Sequence, residues 1–179
     1  ASSYNIKAEV EIPEGGAEGM LVTHGGRFSG YGFYLLDGKP VYTWNLLGLK
    51  LVKWKGTEVV PPGKHTIEFD FKYDGLGAAT LQYGSPSGLG RSGTGYLKVD
   101  GKIVAEQKME KTVPMLMQWD ENFDVGADTG SPVADEDYHT PFRFNGNIDK
   151  LTLTIDRPKL SPEDIEKLKM AVRGNPASE

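Results

Sequence analysis

The stretch "PPGKHTIEFDFKYDG", Pro61 to Gly75, decides the fold class. Ile67, Phe69, Phe71 and Tyr73 fall at every second position, with Thr66, Glu68, Asp70 and Lys72 between them. Side chains alternate across a pleated strand, so this stretch reads as a β-strand with one apolar and one polar face. Prolines and a glycine bound it on one side and Asp74-Gly75 on the other. The same period recurs in "YNIKAEVEI", where Tyr4, Ile6, Ala8, Val10 and Ile12 share a face. Asp37-Gly38 and Asp100-Gly101 each separate two apolar runs, the signature of a tight hairpin.

Other strands are less one-sided. "EGMLVTHGG" runs into Gly25-Gly26. In "LGLKLVKWKG" both faces are partly apolar: Leu49, Leu51 and Lys53 alternate with Lys50, Val52 and Trp54. In "NIDKLTLTID", Ile148 is out of phase with Leu151, Leu153 and Ile155, which implies a bulge or strand start near Asn147. About ten strands with hairpins and no β-α-β alternation imply an all-β, antiparallel two-sheet sandwich of jelly-roll or concanavalin-like type. A short C-terminal α-helix follows. Ser161 is its N-cap, Pro162 its first residue and Asp164 the third, in a variant capping box. Ile165, Leu168 and Val172 form its apolar stripe, and Gly174 ends it. The expected division is a sandwich over residues 1–158 and a helix with tail over 159–179. The glycine-rich run from Asp74 to Thr94 has no period and reads as a long functional or mobile loop.

Composition excludes several classes. The 179 residues carry a net charge of -5, so no general positive field is available to a phosphate backbone and nucleic acid is not an expected partner. The absence of cysteine removes disulfides, thiolate metal sites and cysteine nucleophiles. No apolar run approaches the roughly 18 residues of a membrane span, so no membrane insertion is expected. The first residues, "ASSYNIKAEVEI", lack the basic and apolar regions of a signal peptide.

Two constellations could bind something. In "QWDENFDVGADTGSPV", Asp120, Asn122 and Asp124 fall at alternate positions and Asp128 follows. Oxygen ligands spaced in this way can hold Ca2+ in a loop, although the EF-hand pattern fails because Gly126 is seventh and Ser131 twelfth. Such residues also brace turns by bonding their own backbone. No other cofactor is implied. Trp44 with Asn45, Trp54, Tyr83 and Trp119 could stack and hydrogen-bond a saccharide, although strand aromatics also fill cores.

Catalytic patterns are weaker. Glu9/Glu11 and Glu68/Asp70 have the spacing of paired glycosidase carboxylates, but each pair also lies on the polar face of an alternating strand. His24, His65 and His139 accompany no Gly-x-Ser-x-Gly elbow and read as surface or structural residues. "GLGRSGTG" lacks the Lys-Ser/Thr of a phosphate loop.

Five stretches recur in a familiar order: "HGGRFSGYGFYLLDGKPVYTWNLLGL", "VPPGKHTIEFDFKYDG", "SGTGYLKVDGKIVAE", "FDVGADTGSPV" and "PFRFNGNIDKLTL". This series, from Asn5 to Ile155, resembles the C-terminal β-sandwich region of bacterial arylsulfatases. The resemblance implies a non-catalytic accessory domain that packs on a sulfatase catalytic domain of the same polypeptide and shapes the rim of its cleft. It implies a periplasmic or secreted location. The formylglycine motif C/S-x-P-x-R of that family is absent, so no catalytic residue is expected and the chain is not an enzyme by itself. Within the resemblance, Phe123 and Val125 face the core, and the aspartates brace a turn or meet the neighbouring domain. The alternative reading is a lectin-like carbohydrate-binding module; a stand-alone glycan-active hydrolase is the weaker one.

Overall fold

The computed structural model describes residues 1–84, 88–113, 121–157 and 159–173. The strand read from Pro61–Gly75 forms β6 (Gly63–Tyr73), at the centre of the first sheet. Its Ile67, Phe69, Phe71 and Tyr73 are buried, as the alternation requires. β1 (Tyr4–Ile12) pairs with one edge of β6 and buries Ile6, Ala8, Val10 and Ile12. β12 (Asn147–Ile155) lies outside β1, while β7 (Gly93–Val99) and β8 (Lys102–Met109) extend the other side. The irregularity expected near Asn147 is a bulge: Glu9 faces Lys150 and Val10 faces Ile148, which leaves Asp149 without an opposite residue. The polar face of β6 is an ion-pair ladder. Lys98 reaches Glu68 at 3.2 Å and Asp70 at 3.3 Å, and Lys72 meets Asp70 at 3.0 Å. Glu68 also accepts from Asn5. These carboxylates are held by cations on the outer face, as a solvated sheet surface requires.

The second sheet runs β10 (Ala127–Asp128), β11 (Phe142–Arg143), β2 (Gly19–Gly26), β3 (Ser29–Leu36), β4 (Lys39–Leu46) and β5 (Lys50–Lys55), with β9 (Phe123–Val125) also paired to β2. Asp37-Gly38 and Asp100-Gly101 make the two expected turns. All four residues have positive φ, the backbone of the hairpin turn whose twist suits the flanking strands. In β5, Val52 and Trp54 are the inward pair, which resolves the face that periodicity left open.

The core lies between the sheets, with β4 over β6 and β5 over β7 and β8. Trp54 is 1% exposed and rests edge-on against Phe69, with ring centroids 5.0 Å apart. Its indole N–H donates to the Gln107 carbonyl at 3.1 Å, so its polar atom is satisfied. Burying an aromatic of roughly 200 Å² is worth about 5 kcal/mol. Gly95 makes the room: a Cβ there would lie 2.6 Å from Trp54 and 2.7 Å from Phe69. A smaller cluster (Met20, Tyr34, Val41 and Tyr138) covers the outer face of the second sheet, where the chain that carries Tyr138 folds over it.

The helix α1 (Pro162–Arg173) begins as its capping pattern predicts. The Asp164 amide donates to Ser161 Oγ at 3.1 Å, and the Ser161 amide donates back to Asp164 Oδ2 at 3.0 Å. Leu168 is its buried residue, and the helix packs on the 3₁₀ helix Gly77–Tyr83. That 3₁₀ helix gives structure to part of the run read as a long functional or mobile loop. Gly174, expected to end α1, lies outside the described residues.

Candidate aromatic cleft between the sheets

Asn45 is the first sequence candidate whose role changes. It is 2% exposed. Its amide donates to the carbonyls of Arg27 and Val133, each at 2.9 Å, and of Gly26 at 3.3 Å; its Oδ1 accepts the Gly48 amide at 2.9 Å. It is a brace for three loops, with no group left to offer a saccharide. Trp54 is equally out of reach, since it fills the core. Tyr83 sits on the 3₁₀ helix, half-buried and outside the cleft described below. Trp119 lies outside the described residues. Among the described members of the proposed saccharide set, Trp44 alone lines the open site.

Two of the proposed calcium ligands, Asp124 and Asp128, brace turns. Asp124 accepts from the Thr129 amide at 3.2 Å and hydroxyl at 2.8 Å. Asp128, 2% exposed, accepts from the Gly130 amide at 3.2 Å and the Tyr138 hydroxyl at 2.6 Å. Burial pushes the Asp128 carboxyl above the ordinary carboxylate range. The bonds from Tyr138 and Gly130 oppose that rise, and the charges of Glu121 and Asp124 add to it. Asn122 is exposed, its carbonyl accepting from the Gly25 amide at 3.5 Å. Asp120 lies outside the described residues. Among the described residues no group of three or more His, Asp or Glu could hold a metal ion.

An open site forms where the sheets part beside β9 and β12. It is a cleft of about 370 Å³. Register builds its first wall. The β3–β4 hairpin places Tyr31 opposite Trp44, the β2–β3 hairpin places His24 opposite Tyr31, and β9 places Phe123 opposite His24. Facing residues on antiparallel strands point to the same side, so the four rings form one row. His24 meets Phe123 and Tyr31 edge-on, at centroid distances of 5.6 and 6.2 Å. The opposite wall comes from Tyr4 and Phe71 of the first sheet and from Leu153 and Ile155 of its edge strand. At the inner end lie Ile6, Met109 and Tyr42, whose hydroxyl pairs with that of Tyr4 at 2.8 Å.

Phe123 and Val125, expected to face the core, are 50% and 51% exposed. Their strand, β9, is a short strand paired to β2 at the side of the second sheet. Among the described residues no lining residue is Asp, Glu, Lys or Arg. Burial pushes the Tyr31 phenol up to about 12, raises those of Tyr4 and Tyr42 further, and lowers the His24 imidazole. The side chains of the cleft are therefore uncharged at neutral pH. His24 and Tyr31 were missed by sequence reasoning. Counting outward equally from Asp37-Gly38 pairs Tyr31 with Trp44, and that count was the available signal.

No protein-family model matches the chain, and neither does any curated protein. Solved structures do share its fold. The CBM40 module of Ruminococcus gnavus IT-sialidase, bound to α2,3-sialyllactose, superposes with a TM-score of 0.52 at 14% identity, over 96% of this chain and 82% of that one. The same module in another structure gives 0.51 at 15% identity, over 96% and 83%. Domains LG4-5 of the mouse laminin α1 chain give 0.51 at 15% identity, over 88% of this chain and 36% of that one. The fold is thus a jelly-roll or concanavalin-like sandwich.

These neighbours correct the arylsulfatase resemblance. They are a sialidase CBM40 and laminin LG domains, not sulfatase C-terminal domains, and no family model supports the sulfatase reading. The physical reason lies in the landmark stretches, which are Asp-Gly turns and alternating strands. Sandwiches of different families need the same features.

Proposed function

We propose that this chain is a lectin-like carbohydrate-binding module, without chemistry of its own, that holds a saccharide against the aromatic row of the cleft. The row of Phe123, His24, Tyr31 and Trp44, open to solvent at its Phe123 end, carries this reading. The C–H face of a pyranose packs on an aromatic ring as an apolar surface, while its hydroxyls stay at the wet edge. The fold likeness supports the same class, since the CBM40 neighbours hold α2,3- and α2,6-sialyllactose.

A glycan array followed by calorimetric titration of the strongest binder tests it. Binding is expected. Trp44→Ala is expected to weaken it at least about tenfold, the ~1.4 kcal/mol of one lost aromatic contact, with the β-sheet circular dichroism retained. Silence across the array, or a folded Trp44→Ala variant that binds as well as the parent, would overturn the reading.

A further inference from the structure

The cleft is graded from its mouth to its inner end. At the mouth Phe123 is half exposed. Further in, Ile6, Phe71 and Met109 are at most 4% exposed, and the hydroxyls of Tyr4 and Tyr42 hydrogen-bond to each other. A sugar ring carries hydroxyls around its edge, and each one buried without a partner costs free energy. The inner end therefore suits a group with nothing to hydrogen-bond. A cavity of about 370 Å³ lies within the range of small-molecule sites and exceeds what a single water fills. Among the described residues no Lys or Arg side chain lines it, and the Ala1 ammonium at its wall donates to the Val113 carbonyl at 3.3 Å, so the lining offers a carboxylate or sulfate no side-chain cation.

We propose that the inner end of the cleft takes an alkyl or aryl group, so that the ligand is a neutral, amphiphilic glycoconjugate: an uncharged sugar at the aromatic mouth with its apolar substituent inside. This rests on the saccharide reading for the sugar and on the cavity alone for the apolar group. Leu153 and Ile155 extend the apolar wall outward to the solvent edge, 41% and 58% exposed, and so give the substituent a continuous path in.

The test is titration of the whole chain with 1-octanol, with methyl β-D-glucopyranoside and with n-octyl β-D-glucopyranoside below its micellar concentration. 1-Octanol is expected to bind and to raise the melting temperature. The octyl glucoside is expected to bind at least about tenfold more tightly than the methyl glucoside, a gain that two buried methylenes supply. Leu153→Asp, at a solvent-exposed wall position, is expected to lose octanol binding while keeping its circular dichroism. Failure of 1-octanol to bind, or an octyl glucoside no tighter than the methyl, overturns the proposal. So does a sialyllactose that binds more tightly than lactose. Octanol binding with a silent glycan array sustains the apolar pocket and sinks the saccharide reading. A glycan that binds without gain from an octyl group does the reverse.

Discussion

Tyr42 and Phe69 stack face to face across the two sheets, with ring centroids 3.6 Å apart and planes within 6°. The pair joins β4 to β6 at the boundary between filled core and open cleft. On one side Trp54 packs edge-on against both rings; on the other Tyr31 stacks on Tyr42 at 5.8 Å. Phe69→Ala is therefore expected to cost roughly 3–5 kcal/mol, the usual loss for a buried aromatic. Tyr42→Phe keeps the stack and loses only the hydroxyl pair with Tyr4, so about 1 kcal/mol is expected. Urea unfolding of the two variants measures both, and equal losses would refute the stack as the dominant contact.

Asn45 tests the distinction between brace and binder. Asn45→Ala leaves three carbonyls and the Gly48 amide without their side-chain partner. A loss of roughly 2–4 kcal/mol is expected, with glycan affinity unchanged in the folded fraction. Asn45→Asp should be worse, because it puts a carboxylate against those carbonyls. A stable Asn45→Ala protein with weakened glycan binding would restore the saccharide role.

The imidazole of His24 sets a pH dependence. Burial lowers its pKa below the ordinary 6.5, so the fold favours the neutral ring. Its contribution to stability is complete above about pH 6.5 and is lost as pH falls through the lowered folded value. Relative to His24→Phe, the parent should lose unfolding free energy between about pH 7 and pH 5. An NMR titration that places the His24 pKa at or above 6.5 would contradict this.

Chelation bears on the Asp124–Asp128 turn. Its carboxylates already accept from the amides and hydroxyls of Thr129, Gly130 and Tyr138. EDTA is expected to leave the melting temperature unchanged. Asp128→Ala, which strips the Gly130 amide and the Tyr138 hydroxyl of their acceptor, should cost about 1–3 kcal/mol. A fall in melting temperature on adding EDTA would show a bound cation.

Much of the architecture was legible because it is local. Alternation in Tyr4–Ile12 and Gly63–Tyr73 named the buried residues of two neighbouring strands of the first sheet, and the two Asp-Gly turns set the β3–β4 and β7–β8 hairpins. The Ser161–Asp164 capping box marked the start of the helix. The site was less legible. Trp44 was found, but Asn45 and Trp54 were grouped with it on residue type alone. Phe123 alternates like a core residue yet stands half exposed, since alternation reports the side of a strand and not what covers it.

By itself the chain of residues determined which faces are greasy and where the backbone turns, because those depend on the two-residue pleat and on backbone preferences at single positions. Only the tertiary structure decided that Trp54 is sealed while Trp44 lines a cleft. Both lie on the inner face of the second sheet. Trp54 meets Phe69 and the space left by Gly95, whereas Trp44 looks across to a place where the edge strands stand apart. What faces a residue across the roughly 10 Å between two sheets comes from distant parts of the chain, so no local pattern encodes it.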